Sequence, residues 1–233
     1  MTSHAPTAGA VTVLAGGVGA ARFLGGVVQI VPQRDVTVVS NVGDDEDFFG
    51  LRVCPDTDIV IYTLADAVDT EKGWGLRGET FAALDALKRF GYETWFNLGD
   101  GDLATHVHRT AMLRDGASVS EATASIARAY GLELRLLPVS DDRIRTLVET
   151  DAGTLAFQEY FVKRRTEDDV RAVRFEGAAE ATPAPGVIEA IRDAGVVAIA
   201  PSNPVVSIGP LLAVPGVRDA LVAARGRVVA VSP

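Results

Sequence analysis

Val11 to Gly26 reads VTVLAGGVGAARFLGG, and the rest of the chain is interpreted around it. The apolar run Val11 to Leu14 predicts a buried strand. It stops at Gly16 and Gly17, Gly19 follows, and Ala20, Ala21, Phe23 and Leu24 resume with helical spacing. Strand, glycine loop and helix in that order aim backbone N–H groups at a bound phosphate. Arg22 adds a charged fork within reach of such a group. The pattern is GGxGAAR and not a full GxGxxG, so it also describes a tight turn feeding a core helix.

Alternation of strand and helix continues outward from this point. Asp35 to Ser40 reads as a second strand and ends in NVGDDEDFFG, Asn41 to Gly50. CPDTD follows at Cys54 to Asp58, with Asp56 placed to cap a helix over Ile59 to Val68. The glycine-rich GWGLRGET, Gly73 to Thr80, leads into a helix near Phe81 to Phe90 that Gly91 closes. A third strand is expected over Glu93 to Leu98, followed by GDGD, in which Asp102 caps the helix LATHVHRTAML. Ser118 and Glu121 form a capping box. Leu132 to Val139 reads as a strand, and Thr146 to Thr150 with Thr154 to Phe161 reads as a hairpin.

Residues 140–180 therefore interrupt the rhythm as an insertion. Helix Gly186 to Ala194, strand Val196 to Ala200, helix Val217 to Ala224 and strand Arg227 to Val231 restore it. The expected fold is α/β, a three-layer Rossmann-like parallel sheet with a small β-hairpin insertion. Residues 1–10 read as a loose tail rather than a signal peptide, and 11–233 as a single domain. Four polar loops follow strands, so they should meet at one edge of the sheet, where ligands of such folds bind.

Composition narrows the function. The 233 residues are 48% hydrophobic, enough for a large core. No apolar run reaches the ~18 residues that span a bilayer. The single cysteine, Cys54, excludes an internal disulfide and fits a cytoplasmic setting. A net charge of −9 argues against general nucleic-acid binding. It does not exclude an anionic small substrate, because a glycine loop or a metal overrides the global field locally.

A phosphate loop beside Asp44, Asp45, Glu46 and Asp47 would repel its ligand unless a cation lay between. A hard divalent ion with oxygen ligands, Mg²⁺, resolves the conflict. Asp45 and Asp56 are the preferred ligands, and Asp44 and Asp58 the second choice. Arg77 in its glycine loop pairs either with a ligand oxygen or with the acidic loop. Trp74 stacks on a flat ring or belongs to the core. His106 reads as structural, Asp100 and Asp102 as loop and cap residues, and Cys54 as buried and inert. Ser202 and Asn203 stand at a strand end where hydroxyl and amide meet phosphate or base. No Ser/His/Asp triad is apparent.

VTVLAGGVGAARFL, NVGDD, CPDTDIVIYTLAD, GWGLRGET, NLGDGDLATHVHR and APSNPVVSIGPLL occur in this order from Val11 almost to Pro233. In these stretches the chain resembles the 2-phospho-L-lactate transferases of deazaflavin coenzyme F-420 biosynthesis, in particular their bacterial phosphoenolpyruvate branch. The resemblance implies a homodimer that requires Mg²⁺. It implies transfer of a phospholactyl or phosphoenolpyruvyl group from a guanosine diphosphate donor to the ribityl hydroxyl of the deazaflavin alcohol Fo, with release of GMP. By position, Gly16, Gly17 and Gly19 match the family's phosphate loop. Asp45 matches an acid that contacts Fo or the metal. Arg77 falls where many relatives carry lysine, and Ser202 and Asn203 match a loop assigned to the donor. Family members continue past RVVAVSP, so a shorter C-terminal part, with apolar sheet surface left uncovered, is expected here.

Two other readings remain open at this point. A non-enzymatic regulator of related fold that binds a nucleotide-sugar would not turn over a guanosine donor. A Rossmann oxidoreductase should carry an acid at the end of the second strand, where Ser40 and Asn41 stand.

Overall fold

A computed structural model describes residues 7–233. The first strand, β1 (Thr7–Ala15), begins four residues before the apolar run, so the expected tail of 1–10 is shorter on its described side. Thr7 pairs with Ala194, and the register then shifts before Val11 pairs with Val196. Residues 1–6 lie outside the described residues.

α1 (Gly17–Ile30) follows β1 directly, and β2 (Val36–Ser40) runs parallel beside it. A short antiparallel hairpin, β3 (Glu46–Phe48) and β4 (Leu51–Val53), carries the acidic loop into α2 (Pro55–Leu64). α3 (Ala82–Lys88), α4 (Asp100–Arg114) and α5 (Val119–Ala129) come next. Ser118 and Glu121 make the reciprocal capping box that their spacing predicts. β5 (Arg135–Pro138) returns to the sheet. The insertion is a three-stranded antiparallel sheet of β6 (Arg145–Thr150), β7 (Gly153–Ala156) and β8 (Val170–Glu176). One π-helical turn, Glu159–Lys163, stands between β7 and β8. The chain closes through α6 (Val187–Asp193), β9 (Ala194–Ile199), α7 (Gly209–Ala213), α8 (Val217–Ala223) and β10 (Val228–Ala230).

The parallel sheet has the order β10-β9-β1-β2-β5. Side-chain alternation along β1 explains the three layers. Val13 and Ala15 pack toward α1, α2 and α5, while Leu14 packs toward α6, α7 and α8. Strand order reverses between β1 and β9, and the crevice above that point is where doubly wound sheets take ligands. On the edge strand β10, Val229 is 55% exposed, and Val196 on β9 is 43% exposed, so part of the sheet surface is open.

Three local expectations change. Glu93 to Leu98 is not a strand. Trp95 and Phe96 leave the sheet pattern to pack on Phe48 of the hairpin, with Phe96 stacked on it at 4.1 Å. Asp56 is not the cap of α2. Cys54 holds that position, Pro55 opens the helix, and Asp56 sits in its first turn. Asp102 likewise lies inside α4, which Gly99 precedes.

Candidate functional site

A cleft of about 800 Å³ opens over the switch point, and Gly17, Asp44, Asp56 and Asn203 share its wall. Gly17 has φ +70, a conformation that side chains rarely adopt, and its N–H bonds the Asp56 carboxylate. Gly16 caps α1 without a side-chain bond, and with the Gly17 N–H taken by Asp56 the next N–H groups of the first turn are left for the site. Gly19 serves packing. A Cβ there would stand 2.3 Å from the carbonyl oxygen of Pro201, so glycine lets α1 lie against the loop after β9.

Asn41, at the tip of β2, organises the acidic loop. It is fully buried. Its Nδ2 donates to Asp56 Oδ2 at 2.9 Å, and its Oδ1 accepts the Gly43 N–H at 2.8 Å. The amide side chain therefore fixes two carboxylate-bearing segments at once.

Asp44 and Asp56 are the acids that face the cleft at its glycine-loop end. Burial pushes the Asp44 carboxyl well above the usual range, and the nearby charge of Asp56 adds to that. Burial likewise raises Asp56 to about 6, against the Asn41 and Gly17 hydrogen bonds. Asp44 Oδ1 is buried with no protein partner. Two desolvated carboxylates and one orphaned oxygen fit a divalent cation that completes its shell with phosphate oxygens and water. No group of three or more metal-ligating side chains exists among the described residues, so the protein share of such a shell is these carboxylates.

Asp45 does not reach the cleft wall. It lies in the layer behind, where burial raises it to about 7 against the Cys54 thiol and the Arg109 and Arg52 charges. Its Oδ1 is also unpartnered. Arg77 is away from the wall as well: its guanidinium holds the Asp66 carbonyl at 2.9 Å and carboxylate at 3.0 Å. Its loop neighbours Trp74 and Gly75 do line the cleft. Ser202 is buried with an unpartnered hydroxyl, and the Asn203 carboxamide oxygen accepts the N–H groups of Val205 and Val206. The structure thus brings Gly17, Asp56 and Asn203 together, with Gly16, Gly19 and Ser202 supporting them.

A second polar group stands on the same wall, and its members Asp58, Asp102 and His106 read singly in the sequence as ligand, cap and structural residue. Asp58, Tyr62, Asp102 and His106 line the cleft. Tyr62 donates its hydroxyl proton to Asp102 Oδ1. His106 Nε2 stands 3.3 Å from Asp102 Oδ2. Arg109, fully buried, pairs both its terminal nitrogens with Asp58 and donates to His106 Nδ1 at 3.2 Å. Asp58 raises the Arg109 pKa despite the desolvation that opposes it. Helical spacing was the available signal: Asp102, His106 and Arg109 share one stripe of α4, and Asp58 and Tyr62 share one of α2.

The insertion supplies the apolar wall through Val148, Phe157, Tyr160, Phe161 and Val173. Aromatic walls with a few placed polar groups are typical of sites for small molecules. No helix among the described residues is long and apolar enough to cross a membrane.

Known proteins share the fold and much of the sequence. A Bacillus halodurans protein of the UPF0052 family shares the fold at a TM-score of 0.65, with 20% identity, over 95% of this chain and 68% of its own. The phosphoenolpyruvate transferase of Streptomyces griseus is 50% identical over 228 residues, 96% of this chain and 72% of that protein. Those of Streptomyces coelicolor and of a Mycobacterium species (strain JLS) are 48% and 46% identical, each over 96% of this chain. Residues 11–233 match the family described as 2-phospho-L-lactate transferase CofD. With the match running from the glycine-loop strand to the last residue, the chain belongs to that family and is a transferase of phosphorus-containing groups in coenzyme F-420 biosynthesis.

Proposed function

We propose that the chain transfers a phosphoenolpyruvyl or 2-phospholactyl group from a guanosine diphosphate-linked donor to the terminal ribityl hydroxyl of Fo, with GMP as leaving group. The observation that carries this reading is the meeting of the α1 N-terminus with the buried Asp44 and Asp56 at the sheet's switch point. Amide donors bind phosphate oxygens, and carboxylates tolerate a diphosphate only through a cation. Mg²⁺ held by Asp44 and Asp56 would neutralise charge on the diphosphate and on the leaving oxygen.

The chain's own groups do the positioning. N–H groups at the start of α1 hold phosphate oxygens, and the Asn41 amide keeps Asp56 turned toward them. The aromatic wall of the insertion excludes water from the reacting phosphorus, which favours the hydroxyl of Fo over hydrolysis. Transfers of this type depend on alignment and charge stabilisation more than on covalent catalysis.

The test is incubation with Fo, GTP, Mg²⁺, a donor-forming guanylyltransferase and, separately, phosphoenolpyruvate, phospholactate or phosphoglycerate. Mass analysis should show one acid joined to Fo through phosphate, with equal GMP, and no product without a divalent ion. Asp44→Asn should lower turnover more than Asp45→Asn, because only Asp44 faces the cleft. Absence of product with all three acids would reject the assignment.

A further inference from the structure

The cleft has a second polar end, remote from the diphosphate region. Along α2, Tyr62 lies six residues beyond Asp56, about 9 Å at 1.5 Å per residue. There Asp102 keeps 15% of its side chain exposed. Both its oxygens are already oriented by protein groups: Oδ1 accepts the Tyr62 hydroxyl, and Oδ2 faces His106 Nε2 at 3.3 Å. The tautomer is fixed by Arg109. A guanidinium can only donate, so His106 Nδ1 accepts and the ring proton sits on Nε2, toward Asp102. Asp58 in turn holds Arg109. Burial alone would raise the Asp102 carboxyl, but the His106 and Tyr62 contacts outweigh it and hold it below the usual range.

This is a preorganised carboxylate with spare lone pairs; the Tyr62 ring reaches it directly, and Trp74 and Phe96 line the same cleft together with the polar Asn97. Such a surround suits a flat ring, and an ionised carboxylate beside it suits a ring-edge N–H. Glu79 stands beside Asp102, accepts its backbone N–H and shares a small adjoining pocket with it and Trp74, but the described residues hold no group of three or more metal-ligating side chains. We infer that Asp102 is the base-edge acceptor of a heterocycle subsite: it binds the ring N–H of a planar substrate whose phosphate or reacting hydroxyl lies at Asp44 and Asp56. Tyr62 and His106 are positioning residues for that carboxylate. The inference rests on the transferase reading. Two substrates of that reading carry the required chemistry, the guanine of the donor and the imide of the deazaflavin.

The test titrates GDP and Fo, each beside its counterpart methylated on the ring N–H, into the unmodified protein, Asp102→Ala and the isosteric Asp102→Asn. Tyr62→Phe keeps the ring and removes only the donor to Asp102. For one of the two ligands, the unmodified protein should prefer the unmethylated form by about ten- to a hundredfold. Asp102→Ala should erase that preference, and Asp102→Asn and Tyr62→Phe should reduce it. A merely structural role would weaken both forms equally and leave the ratio intact. Loss of the ratio in the GDP arm assigns guanine to the subsite; loss in the Fo arm assigns the deazaflavin. Binding of both ligands with the ratio unchanged in every variant overturns the inference alone. Failure of the unmodified protein to bind either ligand overturns the transferase reading, and the inference with it.

Discussion

Replacing Arg109 by methionine should destabilise the protein severely, and the structure sets the size of the effect. The guanidinium is fully buried and has four protein contacts: both Asp58 oxygens, the Arg52 carbonyl at 3.3 Å and His106 Nδ1 at 3.2 Å. Methionine fills most of the stem volume, so little of the loss comes from packing. What remains is Asp58 at 6% exposure without its counter-ion. Removing one partner of a buried pair costs about 3–5 kcal/mol, and each orphaned acceptor adds up to about 1–3, not additively. A total near 4 kcal/mol is a large part of the ~5–15 kcal/mol that holds a domain together. In urea, with a slope of about 2–3 kcal/mol per molar, the midpoint should fall by about 1.3–2 M. The double variant Arg109→Met with Asp58→Leu should recover much of this, since charge and counter-charge leave together. A midpoint within about 0.3 M of the parent for Arg109→Met would refute the buried pair as a structural anchor.

Asp45 gives a signed pH prediction. Its carboxyl is raised from 3.8 to about 7 in the folded chain, so the native state binds a proton that the unfolded state has lost between those values. Its contribution to stability is full below pH 4 and lost as pH rises toward 7, by up to about 4 kcal/mol at ~1.4 per unit. Asp45→Asn should therefore gain on the parent between pH 5 and pH 8 in urea titrations, and a gain independent of pH would contradict the burial argument. Gly19→Ala places a methyl 2.3 Å from the Pro201 carbonyl and should cost about 1–3 kcal/mol. Calorimetry should show a Tm lower by about 2–10 °C, and an unchanged Tm would mean that α1 and the β9 loop are free to separate.

The order of strands and helices was readable because each sheet strand is a short apolar run ended by glycine or by a polar loop. The sequence failed where local pattern and tertiary partner disagree. Glu93 to Leu98 alternates like a strand, yet its aromatic residues find Phe48 and no sheet edge. The site was half legible. Adjacent acids such as Asp44 and Asp45 are equivalent in composition. Which of them faces the cleft depends on the turn closed by the Asp45 N–H on Val42 O at 3.2 Å, a detail that residue types do not encode. Asp102 and His106 were read singly as cap and core, and only their joint spacing with Asp58 and Tyr62 on the facing helix shows the network.

The interruption of the βα rhythm at 140–180 is what walls one side of the sheet crevice. A bare switch point offers amide groups and an open edge. The insertion adds a wall, and it also grips the acidic loop that carries Asp44. The Thr146 N–H donates to the Gly43 carbonyl at 2.6 Å, Gln158 Nε2 reaches the Asp44 carbonyl at 3.5 Å, and Arg143 pairs with Asp47 at 2.8 Å. Arg143 and Asp47 are both exposed and add little by themselves. The two backbone contacts are buried, and they set the carboxylate's position relative to the aromatic wall. Acid and wall are therefore tied through the backbone of one loop. Loosening β6 should displace the carboxylate and open the cleft to water together, which ties alignment of the transferred group to protection from hydrolysis.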